Sequence, residues 1–161
     1  MARTLVRPRL YDQDFLAWTE QQAALLRAGR LDQLDLDNLA EELDTMGRSE
    51  WGELESRLEV LLMHMLKWDY QAARRSRSWK ATMREQRNAI RRLMRRSPSL
   101  KRGLETTIAD VYRDALGRAL DETGLSAAAF PEQLPYSVDE VLDPEPEAGA
   151  LSAARRPGRR R

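Results

Sequence analysis

The sequence contains no cysteine, which excludes disulfide bonds, cysteine zinc sites and thiol nucleophiles. It also lacks a long apolar run, because the longest, from Val60 to Leu66, is interrupted by His64 and is far too short to span a bilayer. The N-terminal residues MARTLVRPRLYD include basic side chains but no apolar signal-peptide core. We therefore expect a cytoplasmic protein with no membrane partner.

Strand-forming residues are also scarce. Val, Ile, Thr and Phe never alternate with polar residues over a useful run, whereas Ala, Leu, Glu, Arg and Gln fill the middle of the chain. A chain of 161 residues has the length of one domain. The sequence predicts an all-α, single-domain bundle of about five helices over residues 10–143, followed by a disordered, basic-ended tail over residues 144–161.

Apolar spacing, capping residues and glycine stops place the helices along the chain. The third predicted helix is apolar on nearly all sides and is therefore expected to be the central one. The predicted helices run from Asp12 to Gly29, from Asp35 or Asp37 to Gly47, from Ser49 through Trp68, from Ser76 or Ser78 to about Arg96, and from Ser97-Pro98 to about Thr123 before Gly124, with at most a short helix after Ser137.

The net charge of +1 hides a strong segregation of charge along the chain. Residues 12–55 carry 12 acidic and 3 basic side chains, and residues 103–150 carry 11 acidic and 2 basic. Residues 74–102 between them carry 12 basic side chains and a single acid, Glu85. The middle of the chain is therefore cationic, and a second basic cluster ends the predicted tail.

The fourth predicted helix carries most of these cations on one side. Five of them fall within an arc of about 80°, which we call the ridge, and about 1.5 Å per residue makes it roughly 22 Å long. Guanidinium forks match phosphate oxygens, so this surface could meet a nucleic-acid backbone. The ridge consists of Lys80, Arg84, Arg87, Arg91 and Arg95, and a lead-in of Arg74, Arg75 and Arg77 precedes it.

Two structural interpretations compete with a nucleic-acid role. The ridge could lie beside the acidic second helix and neutralise it within one bundle, although individual surface ion pairs contribute little stability. Trp79 could stack on a base, but a tryptophan that begins an apolar stripe is more often part of the core.

Catalytic and metal sites find little support in the sequence. His64 is the only histidine, and a core imidazole bonded to a carbonyl or side chain is its commoner role. Glu41, Glu42 and Asp44 could hold Mg²⁺, but such runs usually form a solvated helix face. With no phosphate-binding loop or nucleophile elbow, we expect no catalytic residue, no metal and no cofactor.

Four blocks of sequence follow one another along the chain: W-T-x-Q-Q-A-x-L-L-R, D-x-x-N-L-A-E-E-L, L-L-M-H-x-L-K-W and R-S-W. With these blocks in this order, about residues 10–143 resemble the bacterial Domain of Unknown Function family twenty-nine. The family has no established activity, cofactor or catalytic residue. The resemblance implies a helical domain. The chain is similar to helical domains for which nucleic-acid binding has been suggested.

Two functional hypotheses follow from these observations. The first is non-specific nucleic-acid binding through the ridge and its lead-in, with phosphate neutralisation and counterion release. The alternative is a protein-interaction module without catalytic activity, either a homodimer in which the ridge meets the acidic face or an adaptor for an acidic partner.

Overall fold

The computed structural model describes residues 10–142. In this range the chain forms six α-helices, four of them long, and no strand, which confirms the prediction of an all-α bundle. The helices are α1 (Leu10–Gln13), α2 (Phe15–Arg27), α3 (Leu36–Tyr70), α4 (Arg77–Arg96), α5 (Leu104–Thr123) and α6 (Val138–Leu142). The predicted tail and its arginines lie outside the described residues. None of the described helices combines the length and hydropathy needed to cross a membrane.

A boundary between Arg48 and Ser49 divides the chain into two compact units. The N-terminal unit contains α1, α2 and the first turns of α3. Trp18 and Gln22 are its buried side chains, and both meet Asp35. The indole N–H of Trp18 donates to a carboxylate oxygen of Asp35 at 3.3 Å, and the Asp35 backbone N–H donates to Gln22 Oε1 at 2.9 Å. These bonds tie α2 to the start of α3.

The C-terminal unit contains the rest of α3, together with α4, α5 and α6, and it holds the main hydrophobic core. α3 supplies most of the fully buried side chains, which agrees with its predicted central position. They pack with Ile90 of α4, Ile108 of α5 and Val141 of α6. The α3 residues with no exposed surface are Leu54, Leu58, Leu61, Leu62 and Leu66.

The predicted break at Gly47 is wrong, because α3 continues through it for 35 residues. A glycine that ends a helix usually adopts a left-handed conformation, and among the described residues only Gly29 and Gly124 have positive φ angles, of 69° and 67°. An interior glycine costs only about 1 kcal/mol relative to alanine. A continuous helix avoids the cost of nucleating a second helix after the break, and the backbone hydrogen bonds of the continuing turns offset the cost of the glycine.

Two other predicted boundaries also change. The first helix is interrupted at Asp14, whose carboxylate accepts the Ala17 N–H at 3.0 Å and so caps α2 rather than the predicted Asp12. After Ser97, residues Pro98–Gly103 form a 3₁₀ segment before α5 begins. The predicted stop at Gly124, the cap at Ser76 and the short helix after Ser137 are confirmed.

Candidate nucleic-acid interface

One buried face fixes the orientation of α4. Ser76 caps the helix by accepting the Trp79 N–H at 3.2 Å. Apolar side chains spaced by three, four and seven residues then face the core and leave the other sides of the helix to polar residues. These buried apolar residues are Met83, Ala89, Ile90, Leu93 and Met94.

Six of the eight candidate cations lie exposed on α4 or just before it. Arg77, Arg84 and Arg95 fall within about 20° of one another on the helix, so at about 1.5 Å per residue they form a line roughly 27 Å long. Within the described part of the chain, no hydrogen bond or ion pair engages the side chains of these three arginines or of Arg74. The exposed candidates are Arg74, Arg75, Arg77, Lys80, Arg84 and Arg95.

Two ridge arginines are used inside the fold instead. Arg87 is only 4% exposed, and its Nε donates to the Val141 carbonyl at 2.8 Å while Nη2 donates to the Glu140 carbonyl at 3.3 Å. Arg91 is half-buried, and its guanidinium donates to the Leu142 carbonyl. These three acceptors are carbonyls at the end of α6, which have no partner within the helix. Arg87 and Arg91 therefore cap α6 and hold it against α4.

The lead-in residue Arg75 is exposed but engaged locally. Its Nε donates to the Trp68 carbonyl at 2.7 Å, and its guanidinium carbon lies 5.1 Å from the centre of the Trp68 ring. The contact is a cation–π interaction at the end of α3. Arg75 thus fixes the turn that leads into α4. Its guanidinium lies against the Trp68 ring and the Trp68 carbonyl and is therefore only partly available to a ligand.

Further cations near the ridge extend the positive surface beyond the predicted set. Arg92, Lys101 and Arg102 are exposed. The helical wheel already places Arg92 beside the ridge, about 60° from Arg77 and beyond the arc used to define the ridge. Lys101 and Arg102 lie in the 3₁₀ segment, whose geometry the apolar pattern did not indicate.

Arg96 shows how a cation of α4 pairs with carboxylates. Its Nη2 lies 2.7 Å from a carboxylate oxygen of Glu50 and 3.3 Å from one of Glu53. The hydrogen bond from Arg57 and, secondarily, the charge of Arg96 lower the pKa of Glu53. Glu53 also lines an open groove of about 660 Å³ between α3 and α4. Glu53 and Arg57 are its charged lining residues and they neutralise each other, so the groove presents no catalytic set.

Trp79 is half-buried and its ring is occupied. The ammonium of Lys67 lies 4.5 Å from the ring centre and forms an ion pair with Glu122 of α5. The hydrogen bond from Lys67 is the main reason that the pKa of Glu122 is lowered. With Lys67 on its face, Trp79 links three helices and does not offer that face to a base.

His64 has the structural role that its position suggested. Its Nδ1 lies 2.9 Å from the Val60 carbonyl, one turn earlier in α3. Burial lowers the pKa of the imidazole, and the nearby Lys67 charge lowers it further. The ring is therefore neutral at pH 7 and is held in place by a backbone hydrogen bond.

The carboxylates considered for Mg²⁺ do not come together. Within residues 10–142, no three histidine, aspartate or glutamate side chains converge on a point that could hold a metal ion. Glu42 instead accepts a hydrogen bond from the Tyr11 hydroxyl, and this bond is the main reason that the pKa of Tyr11 is raised to about 12. Glu41 and Asp44 are exposed on other sides of α3.

Comparison with known proteins identifies the family but no characterised relative. No curated protein and no solved structure shows significant similarity to the chain. A family model does match, and it covers residues 10–145, which include all the described helices. The chain therefore belongs to the family described as Domain of unknown function DUF29.

Proposed function

We propose that the protein binds nucleic acid non-specifically through the exposed cations of α4 and its lead-in. The observation that carries the proposal is the line of Arg77, Arg84 and Arg95, which are exposed and have no carboxylate partner within the described residues. Exposed arginines without intramolecular partners can form bidentate hydrogen bonds with phosphate oxygens. Binding would release counterions from the nucleic acid and would weaken steeply with salt.

The proposed surface is smaller than the sequence suggested. Arg87 is excluded because it is buried, and Arg91 and Arg75 each spend part of their hydrogen-bonding capacity on backbone carbonyls. Lys101, Arg102 and Arg92 contribute additional exposed charge. Asn88 is an exposed amide side chain on the same side of α4, but its Oδ1 accepts a hydrogen bond from Arg91 at 3.3 Å. The proposed binding depends mainly on phosphate contacts, which carry no sequence information.

A fluorescence-anisotropy titration tests the proposal with labelled single-stranded DNA, duplex DNA and RNA of random sequence. The salt concentration is varied from about 20 to about 200 mM. Over this range the contribution of phosphate contacts to the binding affinity falls strongly. We expect binding at low salt that weakens steadily with salt. Absence of binding to all three probes at the lowest salt would remove the proposal.

A second candidate is a protein-interaction module in which the same cations meet carboxylates. Arg96 favours it, because this arginine of α4 already pairs with Glu50 and Glu53 inside the chain. The partner would be an acidic protein or a second copy, whose residues 12–55 are strongly acidic. Light scattering at low and high salt separates the candidates: a salt-sensitive dimer that ignores oligonucleotides favours the module.

A further inference from the structure

The N-terminal unit exposes an apolar stripe that its own fold does not cover. Leu36, Leu43 and Met46 on the first turns of α3 are 64%, 67% and 66% exposed, and Leu39 between them is half-buried. Their spacing of three and four residues puts all four side chains on one face of the helix. We call these four residues the seam. Isolated exposed leucines are ordinary, but a contiguous row marks a binding surface.

Other apolar side chains of the N-terminal unit are also poorly buried. In residues 10–48, Trp18 and Gln22 are the buried side chains, and the described apolar residues include several large ones that are at least half exposed. Units of about 40 residues rarely reach stability on their own small core and usually gain it from further contacts. The other exposed apolar residues of the unit are Phe15, Leu16, Leu26 and Leu31.

Charge indicates what kind of surface could cover the seam. Residues 10–48 carry nine acidic and three basic side chains. On the helical wheel Glu42 borders the seam on one side, while Asp37 and Asp44 lie toward the far side of the helix. The excess of carboxylates in the unit would repel an acidic partner and attract a basic one, whose cations could reach Glu42 beside the apolar row.

A second copy of this chain does not match these requirements. Two seams facing each other would bring two acidic N-terminal units together. The basic helix α4 offers the right charge, but its apolar side chains, among them Met83, Ile90 and Leu93, are buried in its own core. Only its charged side is available, and this side cannot bury the leucines of the seam.

We propose that the seam of α3 is a docking site for a cationic amphipathic helix of a different protein. Such a helix would place apolar residues at i, i+3, i+4 and i+7 against Leu36, Leu39, Leu43 and Met46, with lysines or arginines beside Glu42 and facing the acidic unit. This is the recognition mode in which an amphipathic helix lays its apolar face on a hydrophobic surface. The site is separate from the cations of α4 and does not depend on nucleic-acid binding.

The experiment measures binding of the full chain to synthetic peptides by fluorescence anisotropy. The probe is a labelled peptide of leucine and lysine whose leucines lie on one helical face. A peptide of the same composition with its leucines spread around the helix is the first control, and a leucine–glutamate peptide with the single-face pattern is the second. We expect the probe to bind, the spread peptide to bind about tenfold more weakly, which corresponds to about 1.4 kcal/mol, and the glutamate peptide not to bind.

Two variants on the same helix locate the site. Leu43→Asp places a charge in the seam and is expected to weaken probe binding by at least about tenfold. Thr45→Asp adds the same charge to an exposed position on the opposite side of α3 and should leave binding nearly unchanged. Both substitutions are at exposed positions, and circular dichroism verifies that each variant keeps its helix content.

Three outcomes would overturn the proposal. The first is failure of the single-face probe to bind the wild-type chain. The second is equal affinity of wild type and Leu43→Asp for the probe. That result would mean that the probe is attracted by charge alone and does not contact the seam. The third is a dimer in light scattering that Leu43→Asp converts to a monomer, since a second copy would then be the occupant of the seam.

Discussion

Arg87 Nε donates a hydrogen bond to the Val141 carbonyl at 2.8 Å, and this bond joins the cationic helix α4 to the last described helix. The arginine is 4% exposed, although it is one of the regularly spaced cations of the ridge. Its guanidinium also reaches the Glu140 carbonyl and the sulfur of Met65. Arg87 was predicted to bind nucleic acid, but its guanidinium is instead used inside the fold.

Replacing Arg87 is expected to destabilise the protein. Arg87→Ala removes charged hydrogen bonds to two α6 carbonyls and leaves buried acceptors unsatisfied, so we expect a loss of about 2 to 3 kcal/mol. Urea unfolding followed by circular dichroism measures this loss. Arg84→Ala, an exposed position on the same helix, is the matched control and should change the free energy of unfolding by less than about 0.5 kcal/mol. Equal effects of the two variants would contradict the structural role of Arg87.

The number of exposed cations sets the salt dependence of nucleic-acid binding. About five phosphate contacts predict a slope of log K against log salt concentration near −4 to −5 for duplex DNA, whereas all eight predicted residues would give about −7. Anisotropy titrations at several salt concentrations measure the slope. A slope near −7 would mean that further cations, such as the exposed Arg92, Lys101 and Arg102, also contact phosphates.

Removing one exposed arginine tests which surface carries the binding. Arg84→Gln is expected to reduce the magnitude of the salt slope by about 1 and to weaken binding to every nucleic-acid probe alike. Arg113→Gln removes an exposed arginine of α5 instead and should leave both quantities unchanged. Equal losses in the two variants would indicate attraction by total charge rather than by α4.

His64 should make stability depend on pH below neutrality. Burial lowers the pKa of its imidazole from the ordinary value of 6.5, so between 6.5 and the lowered value the unfolded chain binds a proton that the folded chain does not. The contribution is therefore present above pH 6.5 and declines as pH falls through this window. Urea unfolding from pH 8 to pH 5 should show the decline in wild type and a smaller one in His64→Gln.

Glu122 acts in a lower pH range than His64, although its charge raises the pKa of His64 and the charge of His64 lowers its own pKa. Its pKa is lowered from the ordinary 4.5, chiefly by the hydrogen bond from Lys67, so its stabilisation is present above pH 4.5 and is lost as pH falls through the lowered pKa. A Glu122→Gln variant should leave the decline between pH 6.5 and pH 5 intact. If the decline vanished in that variant, the His64 assignment would be contradicted.

Two glycines with different backbone conformations should respond oppositely to alanine. Gly47 lies inside α3, and no atom lies within 4 Å of the position that an alanine Cβ would take, so Gly47→Ala should stabilise the protein by about 0.5 to 1 kcal/mol. Gly124 ends α5 with a φ of 67°, and Gly124→Ala should destabilise it by about 1 kcal/mol or more. Thermal or urea unfolding measures both changes. A stabilising effect of Gly124→Ala would contradict the left-handed cap.

The family, the all-α class and the local signals at helix ends followed from the sequence. Helix formers without strand patterns determined the class, and capping and stop residues such as Ser76 and Gly124 act within a few residues of their own position, so their effects can be read locally. The stop predicted at Gly47 was wrong because an interior glycine costs only about 1 kcal/mol, and a continuous helix avoids the cost of a second nucleation.

Only the tertiary structure decided which cations of the ridge are exposed and which bind backbone carbonyls inside the fold. Arg84 and Arg87 look alike in the sequence, yet one is exposed and the other is buried against carbonyls that lie 53 and 54 residues away. Leu43 shares its spacing with the buried Leu54 and Leu58, and only the packing shows that it stays exposed. Helical periodicity shows which residues share a face of a helix. The groups that pack against that face come from segments distant in the sequence. Contacts with those segments determine whether a side chain is used inside the fold or stays exposed for a partner.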